Sequence, residues 1–116
     1  MKLQTEKGAI TIGSDVFTNI TGAAATNCFG VNGMAVRSKT DGLVHLLRRE
    51  SMAKGVKVRF NEDDTVSIEL HIIVDNGVNL TAVSRSIMSE VRYMVERITG
   101  TKVKSVDVCV DSMVIG

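Results

Sequence analysis

The stretch TNCFGVNGMA, residues 26–35, places a cysteine, Cys28, beside two glycines, Gly30 and Gly33. A nucleophilic cysteine needs a lowered pKa, which a nearby histidine or a helix N-terminus usually provides. Here the sequence predicts Cys28 at the C-terminal end of a helix, and His45 lies 17 residues further along the chain. We therefore interpret Cys28 as a small buried hydrophobic residue, not as a nucleophile.

The segment from Gly30 to Gly33 also matches the GxxG pattern with which KH domains clamp an RNA backbone. It falls between two predicted helices and after a first strand, which is the KH order. KH loops usually carry Lys or Arg between the glycines, whereas this segment carries Val31 and Asn32. It also lacks the G-x-x-x-x-G-K-[ST] pattern of a nucleotide-binding P-loop. We favour a simple turn, with a KH-like RNA-binding module as the alternative.

Two further groups of residues could bind metal ions. His71 and Cys109 are predicted on one open sheet face, close to Glu69 and Asp107, and this set could hold zinc in principle. The spacing matches no zinc motif, so a solvated sheet face is the preferred interpretation. The acidic run at residues 62–64 lacks the alternation, glycine and distal glutamate of a calcium loop, and predicts a solvated turn. The sequence predicts no metal site and no cofactor.

One cluster of basic residues could meet an acidic partner or lipid headgroups. A charge-balanced surface is the simpler interpretation of the same residues. With two polar residues of a neighbouring strand, the cluster defines the candidate interaction surface: Arg48, Arg49, Lys54, Lys57, Arg59, Glu69 and His71.

Composition limits the class of protein. With 116 residues, 44% of them apolar, the chain predicts a single domain over residues 1–116 with its own core. A net charge of +1 and few aromatic residues make nucleic-acid binding unexpected. Two distant cysteines indicate reduced thiols in a cytoplasmic chain. There is no signal-peptide pattern and no apolar run of about 18 residues. Any membrane association would therefore depend on a partner.

The first half of the chain predicts three elements. Alternating residues predict a strand at 8–13, and helical spacing predicts a helix at 15–27 whose N-terminus is capped by Ser14 or Asp15. Residues 31–37 fit either a short strand or a connector. Thr40 or Asp41 is predicted to cap a short helix that ends at Arg48 and Arg49.

The second half has clearer patterns. Residues 55–75 predict an antiparallel hairpin with Val58 opposite Ile68, which places Lys57 opposite Glu69. An amphipathic helix is predicted at 79–99 and a final strand at 103–110. The order β-α-α-β-β-α-β predicts a two-layer α+β domain, with a small, mainly antiparallel sheet and the helices on one face.

Five segments together resemble the alkaline shock protein twenty-three family of Gram-positive bacteria, which includes general-stress and envelope stress response proteins. They are KGAITIGSDVF, CFGVNGMA, KGVKV, IIVDNGVNLTAVSRSIMSEVRYMVERITG and VKSVDVCVDSMVI, which follow one another in the family's order. The resemblance implies a small cytoplasmic protein without a catalytic motif, linked to cell-envelope stress or homeostasis. Some members resemble scaffolds that assemble and are held near the membrane by a membrane-bound partner.

From the residues and the resemblance we expect a non-enzymatic interaction or scaffold domain with no catalytic residue. We expect a protein partner, which is membrane-anchored if the domain works near the membrane, and no direct insertion into the bilayer. Self-association is also expected, because small sheets have edge strands that can pair with another chain. The short first strand, with little charge, is the candidate edge.

Overall fold

The computed structural model describes residues 1–37, 44–47 and 55–114, and of residues 35–37 and 44–47 it describes the backbone alone. The fold is α+β, as predicted. The elements in chain order are β1 (Lys2–Thr5), β2 (Gly8–Thr11), α1 (Ser14–Thr26), β3 (Val31–Arg37), β4 (Val44–Leu47), β5 (Val56–Phe60), β6 (Val66–Val74), α2 (Leu80–Thr99) and β7 (Val103–Met113).

Strand β6 is the centre of a five-stranded sheet. Strand β7 runs parallel to it along one edge, over the whole length of β6. The other edge is shared by two antiparallel strands, since β5 pairs with residues 66–70 and β3 with residues 72–74. Strand β4 extends the sheet by pairing with β3. The sheet is therefore mainly antiparallel, as predicted, with one parallel pair.

Alternation along β6 separates the core from the open face of the sheet. Both helices lie on one side of the sheet, because residues of both share a core with the even-numbered residues of β6. These residues are almost fully buried: Val66, Ile68, Leu70, Ile72 and Val74. Between them, Ser67, Glu69 and His71 form the other face. The predicted register is confirmed, since Val58 pairs with Ile68 and Lys57 with Glu69.

Helix α2 seals the core with one apolar stripe. Asn79 caps its N-terminus by accepting a hydrogen bond from the backbone N–H of Ala82, and Gly100 ends it in a left-handed conformation. The predicted helix at 79–99 is therefore confirmed. The buried positions are Val83, Ile87, Val91 and Val95, while Leu80 and Ile98, near the two ends of the helix, are exposed.

Helix α1 packs against α2, β3 and β5. The predicted cap by Ser14 or Asp15 is wrong, because Ser14 is already helical and Gly13 holds the capping position without a side-chain hydrogen bond. Phe17 is fully buried and meets the ring of Phe60 edge to face, with centroids 5.5 Å apart. The small residues on its inner side allow close approach of the backbones: Gly22, Ala24 and Ala25.

Two predicted elements need correction, and one segment that the sequence left open is resolved. The segment 44–47 of the predicted short helix forms β4, whose backbone pairs with β3; the remainder of that segment lies outside the described residues. The closely spaced apolar residues of this segment suit either a helix or a strand, and pairing with β3 favours the strand. The ambiguous residues 31–37 are the strand β3. The first strand is β2, at 8–11, and it pairs with the unpredicted β1 in a separate two-stranded sheet.

Candidate functional site

The polar side chains of three neighbouring strands line one groove on the open face of the sheet. Because β5, β6 and β7 each send alternate residues to this face, charged groups from all three strands meet there. The groove has a volume of about 450 Å³, and its lining residues are Lys57, Val58, Arg59, Ser67, Ile68, Glu69 and Asp107.

Positive and negative charges lie on opposite sides of this groove. Strand β5 contributes Lys57 and Arg59, which are both exposed. Strands β6 and β7 contribute Glu69 and Asp107. Within the described part of the chain, neither Lys57 nor Arg59 forms an ion pair, so both cations remain available to a ligand. The arrangement suits a partner that carries its own charges in a matching order.

At the end of the groove, His71 lies between two carboxylates. Its Nε2 atom is 3.2 Å from Oε2 of Glu69, and its Nδ1 atom is 2.9 Å from Oδ2 of Asp111. Asp111 reaches His71 because the register of β6 and β7 shifts at this point, which leaves Asp111 without an opposite residue on β6. A bulge of this kind redirects a side chain.

Cys109 completes this cluster. One ligand atom each of Glu69, His71 and Cys109 lies within 4.8 Å of the others. Of the two carboxylates predicted to join His71 and Cys109, only Glu69 belongs to this group. Burial raises the pKa of the Cys109 thiol, and the nearby carboxylates, Glu69 first among them, raise the pKa further. The sulfur is therefore a protonated thiol at neutral pH while no cation is present.

Cys28 follows the C-terminal end of α1, as its sequence context predicts, but its side chain is only partly buried. Its Sγ lies 3.4 Å from the carbonyl oxygen of Ala24, one turn earlier in α1, and the side chain packs against the core. Burial raises the pKa of its thiol, although a hydrogen bond with Ser86 opposes the change. His45 lies in β4, where its backbone pairs with Val36. The raised pKa makes Cys28 a poor nucleophile.

The segment with Gly30 and Gly33 is a packed connection into β3. Gly30 is buried at φ +91°, and its carbonyl accepts a hydrogen bond from the backbone N–H of Asp75. The Asn32 side chain donates to the carboxylate of the same Asp75, at 2.9 Å. Gly33 is buried within β3. An RNA clamp needs an exposed loop between helices, so this segment gives the KH-like alternative no geometric support.

The acidic run at 62–64 is an exposed turn between β5 and β6, as predicted. Asp63 accepts hydrogen bonds from the backbone N–H and the hydroxyl of Thr65. The hydroxyl contact is the main reason why the pKa of Asp63 is lowered from its ordinary value. The carboxylate therefore shapes the turn.

The structure brings together four of the predicted surface residues on one face: Lys57, Arg59, Glu69 and His71. Arg48, Arg49 and Lys54 lie outside the described residues. Sequence reasoning missed Asp111, although the alternation of Asp107, Cys109 and Asp111 could have extended the last strand beyond residue 110. It also missed Phe29, whose side chain is 91% exposed in the connection after α1.

No helix in the described part of the chain is both long and apolar enough to cross a bilayer.

Comparisons with known proteins agree with the resemblance of the motifs. The sequence profile of the alkaline shock protein twenty-three family, described as having a cell envelope-related function, matches residues 2–115. The YloU protein of Bacillus subtilis (strain 168) is 34% identical over 114 residues, which are 97% of this chain and 94% of that protein. The Spy1614 protein of Streptococcus pyogenes serotype M6 is also 34% identical over 114 residues, with 97% and 93% of the two chains covered. No solved structure matches this chain. The chain therefore belongs to the alkaline shock protein twenty-three family, a family of cell envelope-related function.

Proposed function

We propose that this protein is a non-enzymatic interaction domain that serves the cell envelope by binding a protein partner through the open face of its sheet. One observation carries the proposal: both helices cover one sheet face, and the other face presents a groove of about 450 Å³ lined with charged residues. The envelope-related description of the family supports the same role.

The chemistry of the groove indicates what kind of partner would fit. Lys57 and Arg59 are exposed cations along one side, and Glu69 and Asp107 provide the opposite charge across it. An extended protein segment with acidic residues facing β5 would pair with the two cations. Complementary charges of this kind mainly improve specificity and the rate of association.

We place the domain in the cytoplasm, near the membrane, where the partner would be the membrane-anchored component. This placement rests on the family's envelope-related description and on the charged character of the groove. Under this proposal the domain itself remains outside the bilayer, and its distribution in the cell depends on the groove.

Fractionation of native cells tests the proposal. We expect the wild-type chain to sediment partly with the membranes. The double variant Lys57→Glu and Arg59→Glu should move to the supernatant, because it reverses the positive side of the groove. The matched control is Arg85→Glu with Arg92→Glu, which makes the same charge change on exposed positions of α2. Equal distribution of the two double variants, with equal melting temperatures, contradicts the proposal.

Self-association is the second part of the proposal, and strand β7 supports it. This strand has 11 residues, and one of its edges pairs with β6. The other edge has no partner strand among the described residues. The register shifts near Lys104 and at Asp111 interrupt its regularity, which is a common protection of edge strands, but residues 105–110 between them remain regular. We infer that this stretch pairs with a second copy.

The hydrogen bonds at both ends of β7 show which backbone groups face outward. The backbone N–H of Val66 donates to the carbonyl oxygen of Lys102, and the backbone N–H of Val114 donates to the carbonyl oxygen of Val74. In a parallel pair with this phase, the N–H of Asp107 faces β6 and the N–H of Val108 faces the open edge. Proline lacks the N–H, so adjacent substitutions test the two edges separately.

Sedimentation velocity at high micromolar concentration should give at least twice the monomer mass of 12.5 kDa. The Val108→Pro variant should sediment as a monomer, with a smaller loss of melting temperature than the Asp107→Pro control because it keeps the hydrogen bonds to β6. The Asp107→Pro control should lower the melting temperature, because it removes a bond to β6. A wild-type mass of one chain, or a Val108→Pro variant that still associates, overturns this part of the proposal.

A further inference from the structure

The group at the end of the groove contains the donor types that zinc prefers. An imidazole, a thiol and a carboxylate project from His71, Cys109 and Glu69, with one ligand atom of each within 4.8 Å of the others. All three are partly buried, so water and an ion can reach them. Zinc accepts imidazole nitrogen, thiolate sulfur and carboxylate oxygen as ligands, and some zinc sites have three protein ligands and an open fourth position.

The fold holds these donors rigidly. Glu69 and His71 are two residues apart on the central strand β6, so their side chains leave the same face. Cys109 is the direct neighbour of His71 on β7, in the parallel register. Sites on paired strands are positioned more precisely than sites on loops.

Asp111 provides the orientation that a zinc-binding histidine normally has. Its carboxylate is 2.9 Å from Nδ1 of His71, and its side chain is only 13% exposed. An N–H on Nδ1 that donates to Asp111 leaves the lone pair of Nε2 directed towards Glu69. This is the usual arrangement of histidine ligands, whose second nitrogen donates to a carboxylate or carbonyl.

The distances suit a tetrahedral ion after a small adjustment. Zinc ligand distances of about 2.0–2.3 Å separate a nitrogen from an oxygen by about 3.4 Å, and a nitrogen from a sulfur by about 3.6 Å. The first separation is already met by the 3.2 Å between His71 and Glu69. Because the three ligand atoms lie within 4.8 Å of one another, a movement of the Cys109 thiol by about 1 Å would bring the second separation within reach. Lys57, across the groove, opposes the ion, while Asp107 and Asp111 add negative charge in its favour.

We propose that Nε2 of His71, the sulfur of Cys109 and a carboxylate oxygen of Glu69 bind a Zn²⁺ ion on the open sheet face, and that Asp111 orients the histidine. On binding, the Cys109 thiol gives its proton to solvent, and the thiolate bonds to the ion. Water or a group of the bound partner fills the fourth position. The ion would then contribute to recognition at this end of the groove.

Metal titration of the full chain, kept reduced with a phosphine that does not chelate, tests the proposal. Calorimetry with Zn²⁺ should show one ion bound per chain. With Co²⁺ as the probe, a thiolate-to-cobalt charge-transfer band should appear together with the intense visible bands of a tetrahedral site. Cys109→Ser should abolish the charge-transfer band and weaken binding by more than about tenfold, while Asp111→Asn should weaken it by about 10–100-fold with the band retained.

Cys28→Ser is the matched control, since it removes the other thiol and should leave both the affinity and the band unchanged. His71→Gln is a second ligand variant, for use if Cys109→Ser does not fold, as judged by circular dichroism without metal. Absence of binding to the wild type overturns the proposal. Equal affinity of the wild type and the ligand variants, or loss of the band in Cys28→Ser, also overturns it. The titration uses the purified chain without a partner, so its failure would leave the fractionation experiment, which uses other residues, undecided.

Discussion

Substituting Gly30 with alanine tests whether the glycine segment is a structural joint or a binding loop. Gly30 lies at φ +91°, a conformation that costs an L-residue about 1–2 kcal/mol. A Cβ there would lie 2.9 Å from Cγ2 of Val83 and 3.1 Å from Cγ1 of Val78. Overpacking of this kind typically costs about 1–3 kcal/mol. We expect Gly30→Ala to lower the free energy of unfolding by about 2–5 kcal/mol.

Gly77 provides the matched control. Its φ is +85°, but nothing lies within 4 Å of the position that a Cβ would take. Gly77→Ala should therefore show the conformational cost alone, about 1–2 kcal/mol. For a chain of this size each kcal/mol lowers the melting temperature by about 4 °C, so the two variants should differ clearly. Urea and thermal denaturation, followed by circular dichroism, measure both. Equal or smaller destabilisation by Gly30→Ala would refute the packed-joint interpretation.

Three further predictions concern the core and the titrating groups. Phe17→Ala should cost about 3–5 kcal/mol of unfolding free energy because it empties a fully buried site, whereas Val16→Ala, at a 41% exposed position, should change it by less than about 0.5 kcal/mol in the same urea titration. In a Cys109→Ser background, Cys28 should react with iodoacetamide at pH 7 more slowly than free cysteine does, because its raised pKa leaves less thiolate. Equal reaction rates of Cys28 in the native and the urea-unfolded protein would contradict this expectation. By NMR, the carboxyl of Asp63 should titrate below its ordinary pKa, and that pKa should rise in the Thr65→Val variant. The lowered pKa stabilises the fold above about pH 4, and this contribution is lost as the pH falls through the pKa of the folded state.

The sequence predicts best those elements whose spacing of apolar residues fits only one type of secondary structure. The alternation in β5 and β6 leads directly to the observed pairing of Val58 with Ile68. The spacing of apolar residues predicts helix α2 equally directly, and Gly100 predicts where the helix ends. The segment containing Val44 has apolar residues too closely spaced to choose between helix and strand, and its pairing with β3 is a non-local event. The same holds for β1, which pairs with β2 in the described part of the chain.

The candidate site was predictable in part. Alternation alone places Lys57, Glu69 and His71 on one face. The meeting of His71 with Cys109 depends on the parallel register of β6 and β7, which no local pattern specifies. Asp111 joins them through a register shift, and a bulge of this kind leaves little signal in a single sequence.

Site-specific photocrosslinking in native cells tests the central claim most directly. A photoreactive amino acid at Arg59 lies in the groove, and the same amino acid at Arg92 lies on the exposed side of α2. If the open sheet face binds the partner, the protein should form a discrete crosslinked product from position 59 and none from position 92. A product from position 92 alone, or identical products from both positions, would contradict the claim that partners bind the open face of the sheet.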